Sequence, residues 1–246
     1  AEVRNLLALK SNERRVEELN TYLTESVLHR FLPASLVKKA ALGELQLDLR
    51  PEPRLITIVF SDIIGFTELS NLLQAQRVAE LLNEYLAAMT DAIFENGGTV
   101  DKFMGDAVLA LFGAPEELSP AVQAQKAIAA ARQMYQKLDK LNRLWQAQGI
   151  GPVKFRCGIH QGTAVVGMFG NDERADYTAI GHSVNVAARL QEAASADCIL
   201  VSKAVAAHLP PAQIEAFGAL NLKGIDEPMM AYGVRVQQHN AEPVTQ

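Results

Sequence analysis

Asp62 and Asp106 are the residues whose placement first suggests chemistry. Asp62 stands near the end of LITIVFSDI, whose β-branched and aromatic content predicts a buried strand, and Asp106 follows a glycine in a predicted hairpin. Two carboxylates brought together at strand ends make a hard-oxygen site suited to Mg2+ or Mn2+. Magnesium takes one or two protein carboxylates and fills its shell with phosphate oxygens and water. Taken singly, either Asp reads as a turn-former or a helix cap; the segment between them changes that. Ile63-Ile64-Gly65-Phe66-Thr67 runs from the strand into a helix start, where free backbone N–H groups and the helix dipole favour a polyphosphate. The Walker A pattern GxxxxGK[ST] is absent, so this is not a P-loop.

The elements that must hold these residues alternate between strand and helix patterns. Ala75–Glu95 has apolar residues at helical spacing (Val78, Leu81, Leu82, Tyr85, Leu86, Met89, Ile93) and stops at Gly97-Gly98. GTVDKF and DAVLALFG form strands of a hairpin around Met104-Gly105. Ser119–Gln148 reads as a long helix with Ser119 as N-cap and Pro120 in the first turn. VKFRCGIHQG and TAVVGMFG are strand-like, Ser183–Ala194 is helical, and CILVS and YGVRV close as strands. That order predicts an α+β fold with a ferredoxin-like βαββαβ core, extra strands and helices, and a preceding N-terminal helix.

Residues 1–32 contain no Gly or Pro. Leu9, Val16 and Leu23 recur every seventh residue, Leu19 follows Val16 by three, and Asn12 takes the matching inner position one heptad earlier. The expectation is a signalling helix that pairs as a parallel coiled coil. Residues 33–53 read as a connector, with a short helix at Ala34–Ala41 ending at Gly43 and a polar stretch closed by Pro51 and Pro53. The catalytic domain is expected over 54–236, followed by a polar tail over 237–246.

With 23 basic and 28 acidic residues the chain carries a net charge of −5, which argues against a nucleic-acid binder. A nucleotide substrate is still allowed, since a phosphate site needs only a few well-placed cations. Cys157 and Cys198 lie in apolar stretches without CxxC or metal-ligand spacing, as reduced core residues do. No apolar run approaches the roughly 18–20 residues of a membrane span. The reading is a cytoplasmic chain without membrane contact of its own, tethered if at all through an upstream domain.

FSDIIGFTELS, GGTVDKFMGDAVLALFGAP, FRCGIHQGTAVVGMFG and DYTAIGHSVNVAARLQEAA, in that order, resemble the class III adenylyl/guanylyl cyclase homology domain, most of all bacterial adenylyl cyclases of cyanobacterial type. The resemblance runs from Arg54 to Val236. It implies conversion of ATP to 3′,5′-cyclic AMP and pyrophosphate, with two Mg2+ or Mn2+ ions per site held by Asp62, Asp106 and the Ile63 carbonyl. Asn185 and Arg189 match the pair that orients the ribose and stabilises the pentavalent phosphate; four residues apart, they share one helix face. Lys102 and Thr178 match the purine-selecting pair. Lys102 donates to adenine N1 and Thr178 receives the 6-amino group; many family members carry Asp at the latter position. Guanylyl cyclases typically have Glu in place of Lys102. Gly65, Phe66 and Thr67, with Arg156 and Lys223, match the phosphate-binding residues. His160 reads as a structural histidine, since the family does not use it as a base.

In this family the metal-binding and purine-binding halves of a site come from different protomers, so the resemblance implies a homodimer with shared sites. It also implies an upstream sensory domain in the same chain, and bicarbonate as a candidate activator. The alternatives are a guanylyl or dual-specificity cyclase, and a non-catalytic nucleotide-binding dimerisation module. A diguanylate cyclase is excluded because its GG[DE]EF turn is replaced by FMGDA.

Overall fold

The computed structural model describes residues 10, 12, 14–16, 22, 29, 32, 34–41, 50–171, 175–221 and 228–236. The chain divides into two compact units, Ala1–Leu47 and Asp48–Gln246. In the first, helix α1 spans Ala34–Ala41, where the short helix was expected. Of the heptad positions, Asn12 and Val16 are helical, and Leu9, Leu19 and Leu23 lie outside the described residues. The expected polar tail over 237–246 lies outside them as well.

The second unit is built on one mixed sheet. Its elements are β1 (Glu52–Ile63), α2 (Phe66–Leu72), α3 (Ala75–Glu95), β2 (Thr99–Met104), β3 (Ala107–Phe112), α4 (Pro120–Gln146), β4 (Phe155–Gly170), β5 (Ala175–Ile180), α5 (His182–Ala193), β6 (Ile199–Ser202), α6 (Lys203–Ala206), β7 (Ile214–Leu220) and β8 (Met229–Val234). The strand order is β2-β3-β1-β4-β6-β8-β7, with β5 paired to β4. Strands β4, β1, β3 and β2 are antiparallel neighbours, which is the βαββαβ core the element order predicts.

Helices cover both faces, and strand alternation decides which side chain meets which helix. Phe155, Cys157 and Ile159 of β4 and Val59 and Ile63 of β1 join a core with Leu81, Tyr85, Met89 and Ile93 of α3 and Ala127, Ala131, Met134 and Leu138 of α4. The alternate residue Gly158 faces α5: a Cβ there would lie 2.6 Å from the Ala187 carbonyl oxygen and closer still to the Gln191 amide. Only glycine lets α5 lie directly on the strand. Strand β3 is buried along its whole length because both its faces are covered.

Several boundaries depart from the pattern-based expectation. Strand β1 begins at Glu52 and contains Pro53, where the connector was expected to continue. The missing N–H costs no ladder bond on the β3 side, because β3 pairs only with Thr57–Ser61. The runs VKFRCGIHQG and TAVVGMFG form one 16-residue strand rather than two, paired with β1 from Phe155 to Val166 and with β5 from Val165 to Gly170. The hairpin turn lies at Gly105-Asp106, one residue later than expected, with Met104 still in the strand. Among the described residues no helix is long and apolar enough to cross a membrane.

Candidate active site

Strand β1 carries Asp62 to the same end of the sheet as the β2–β3 turn that holds Asp106. The two meet there: Asp106 Oδ2 accepts the Ile63 N–H at 3.0 Å, and Asp62 and Asp106 interact directly. Burial, and then the neighbouring Asp62, push the Asp106 carboxyl up to about 6, while backbone N–H donors, Ile63 among them, oppose the shift. Cross-strand from Asp62 on β4 stands Arg156, whose Nη2 donates to Asp62 Oδ2 at 3.1 Å. The other terminal nitrogen of Arg156 donates to the Glu192 carbonyl at the end of α5, at 3.3 Å.

Beneath the carboxylates lies Tyr85 of α3, fully buried. Burial raises its pKa, the Ser61 hydroxyl opposes this, and Asp106 and Asp62 add to it. The pair therefore has a buried phenol behind it, two carboxylates and one guanidinium. That donor set fits a divalent cation, whose charge would offset both the burial and the mutual repulsion of the two carboxylates. Among the described residues no group of three or more His, Cys, Asp or Glu gathers as a metal cage. Two carboxylates are what a magnesium-type site bound mainly through phosphate requires.

Gly65 precedes α2 in the left-handed region (φ 70°), a conformation most side chains avoid. Phe66 and Thr67 open the helix, and the Gly65 carbonyl accepts its first intrahelical bond, from Leu69 N–H at 3.0 Å. The first-turn N–H groups of Phe66 and Thr67 thus follow directly on the strand that carries Asp62.

Lys102 and Thr178 gather at a second place, on β2 and β5. What joins them is Asp101, whose side chain is wholly buried. Asp101 Oδ2 accepts from the Thr178 hydroxyl at 2.8 Å and from the Ala179 amide at 3.0 Å. Its Oδ1 lies 3.4 Å from Lys102 Nζ. Burial raises the Asp101 carboxyl, with Ala179, Thr178 and Lys102 pulling the other way in that order. Sequence reasoning missed this residue for a physical reason. Neighbours on a regular strand point to opposite faces, so Asp101 should face away from Lys102. The β2–β3 register slips between Val100 and Lys102, however, leaving Asp101 as the extra residue of a bulge.

Asn185 and Arg189 project from α5. Asn185 is exposed, and Arg189 Nη1 donates to both carboxylate oxygens of Glu192 at 2.7 and 2.6 Å. His160 is mostly buried with Nδ1 unpartnered, and burial, with His182 nearby, holds its pKa down at about 4. Lys223 lies outside the described residues. Two clefts of about 430 and 420 Å3 are lined by other residues, the first by Tyr135, Asn142 and Asp197, the second by Glu52, Arg54 and Gln123. Large apolar side chains beside the polar groups stand exposed: Ile64, Phe103, Met104 and Ile180.

Residues 51–235 match the family model described as the adenylate and guanylate cyclase catalytic domain. An adenylate cyclase of Anabaena cylindrica is 36% identical over 194 residues, 74% of this chain and 37% of that protein. Adenylate cyclase 1 of Rhizobium meliloti is 37% identical over 136 residues, 55% of this chain and 20% of that protein. The chain thus spans well under half the length of these curated relatives. Among solved structures, the adenylyl cyclase CyaB from P. aeruginosa superposes with a TM-score of 0.72 at 38% identity, over 79% of this chain and 100% of that one. A solved guanylyl cyclase superposes almost as well, at 0.71 and 31% identity over 78% and 97%, so the fold alone does not select the base. A bacterial light-regulated adenylyl cyclase covers 97% of this chain and 65% of its own, at 25% identity and a TM-score of 0.70. On the extent of the family match and these identities, the chain belongs to the adenylate and guanylate cyclase catalytic domain family.

Proposed function

We propose that this cyclase domain is an adenylyl cyclase that converts ATP to cyclic AMP and pyrophosphate in sites shared between two copies of the chain. The observation that carries the reading is the meeting of Asp62 and Asp106 at one end of the sheet, where Asp106 accepts the Ile63 N–H and Arg156 pairs with Asp62. Such a pair binds a cation bridged to phosphate. Asp62, Asp106 and the Ile63 carbonyl would hold two Mg2+ or Mn2+ ions, which when bound would supply positive charge for the ribose 3′-hydroxyl and the triphosphate.

The chain's own side chains do the rest. Lys102 donates to adenine N1 and Thr178 accepts from the 6-amino group. Asn185 orients the ribose, and Arg189 exchanges its Glu192 partner for the charge that develops on the α-phosphate. Arg156, which here pairs with Asp62, holds the β- and γ-phosphates together with Lys223 and the N–H groups of Gly65, Phe66 and Thr67. The exposed apolar residues around Asp106 and Thr178 support a second copy closing over both clusters. An upstream sensory segment, acting through residues 1–43, and stimulation by bicarbonate belong to the same proposal.

The test is product analysis with ATP or GTP and Mg2+ or Mn2+, for the native chain and Asp106→Ala. Cyclic AMP as the main product, with activity in the variant lower by about 100-fold or more, supports the reading. Cyclic GMP as the main product would move the assignment to a guanylyl cyclase. No product from a dimeric protein would leave the non-catalytic module.

A further inference from the structure

Asp101 takes no part in the reaction set out above, yet it stands between the two residues assigned to the base. Its Oδ2 receives the Ala179 amide at 3.0 Å and lies 2.8 Å from the Thr178 hydroxyl, and its Oδ1 faces the Lys102 ammonium at 3.4 Å. A carboxylate held by a backbone N–H and an ammonium is an acceptor only. The Thr178 hydroxyl owns a single proton, so that proton points at Asp101. Its lone pairs remain for whatever approaches from the other side.

Thr178 then presents an acceptor and Lys102 a donor. Adenine offers the complement, an amino donor at C6 and an acceptor at N1. Guanine offers a carbonyl at C6 and an N–H at N1, mismatched at both positions. We propose that Asp101 sets the preference for adenine by fixing the direction of the Thr178 hydroxyl, as a positioning residue that never touches the nucleotide. The proposal rests on the adenylyl cyclase reading and deepens it. Without Asp101 the hydroxyl turns freely and can donate to the guanine carbonyl as well as accept from the adenine amino group. Lys102, whose side chain is 41% exposed and solvated on its own account, keeps its share of the selection.

The experiment measures kcat/KM for ATP and for GTP in the native chain, Asp101→Ala, Thr178→Val and the double variant. Asp101→Ala should lower the ATP-to-GTP ratio about tenfold, as loss of one oriented hydrogen bond does. Thr178→Val should lower it comparably, and the double variant no further than Thr178→Val alone. Partial unfolding cancels in the ratio, so a merely structural role would lower both kcat/KM values together and leave it unchanged. A ratio within twofold of native in Asp101→Ala, or additive losses in the double variant, overturns the proposal. Should Asp101→Ala not fold, Asp101→Leu, which fills the same space without an acceptor, decides: a ratio lowered about tenfold supports it, and a ratio within twofold of native overturns it. A native chain that prefers GTP or makes no product refutes the parent reading instead, and shows that before any variant is compared.

Discussion

His160 is a mostly buried base that its surroundings hold in the neutral form. Burial and His182 lower His160 to about 4 from an ordinary value of 6.5. Its neutral form therefore contributes stability that is complete above pH 6.5 and is lost as pH falls through 4, because only the unfolded chain binds the proton in that window. His160→Gln removes this linkage. Urea unfolding at pH 7 and pH 4.5 should show the native chain losing about 2–3 kcal/mol more than the variant over that interval. Equal losses would mean that His160 is accessible to protons in the fold. At this scale the carboxylates Asp62 and Asp106 were legible in the sequence, since a strand end and a glycine turn announce them. Asp101 was not, because a bulge reverses the direction that strand alternation assigns to it.

Among the elements, α5 and β4 do most to place the polar groups. Helix α5 owes its position to Gly158, and Asn185 and Arg189 project from the part of the helix that Gly158 lets down onto the sheet. Gly158→Ala should lower unfolding stability by about 3 kcal/mol or more, because the obstructing atoms are backbone and cannot rotate away. A loss under about 1 kcal/mol, read from the same urea titration, would show that the helix can lift without cost. The helices were legible from apolar spacing: α3 spans Ala75–Glu95 as the spacing predicts. The continuity of β4 was not, because HQGT looks like a turn between two strands. Its partners supply what the local pattern lacks: Gln161, Gly162 and Thr163 pair with Thr57, Ile56 and Leu55 of β1. Within this polar crossing, Gln161 Nε2 donates to the Thr57 hydroxyl and to the Pro120 carbonyl, each at 2.8 Å, which ties the strand to the start of α4.

For the whole molecule, the chain gathers a carboxylate pair in one place and Asp101, Lys102 and Thr178 in another. The cross-strand partners of Asp62 and Thr178 on β4 are Arg156 and Gly167. Exposed Ile64, Phe103, Met104 and Ile180 flank the two clusters, apolar surface that a second chain would cover. If each active site draws its carboxylates from one copy and Asn185 and Arg189 from the other, two damaged chains can repair one another. The decisive measurement mixes Asp106→Ala with Arg189→Ala in equal amounts, allows subunits to exchange, and follows cyclic AMP formed from ATP with Mn2+. Each variant alone should be nearly inactive. Random pairing makes half of the dimers mixed, with one intact site in two, so the mixture should recover about one quarter of native activity. A mixture no more active than the two variants measured separately, in chains shown to exchange, would contradict the shared site and with it the account of how this domain works.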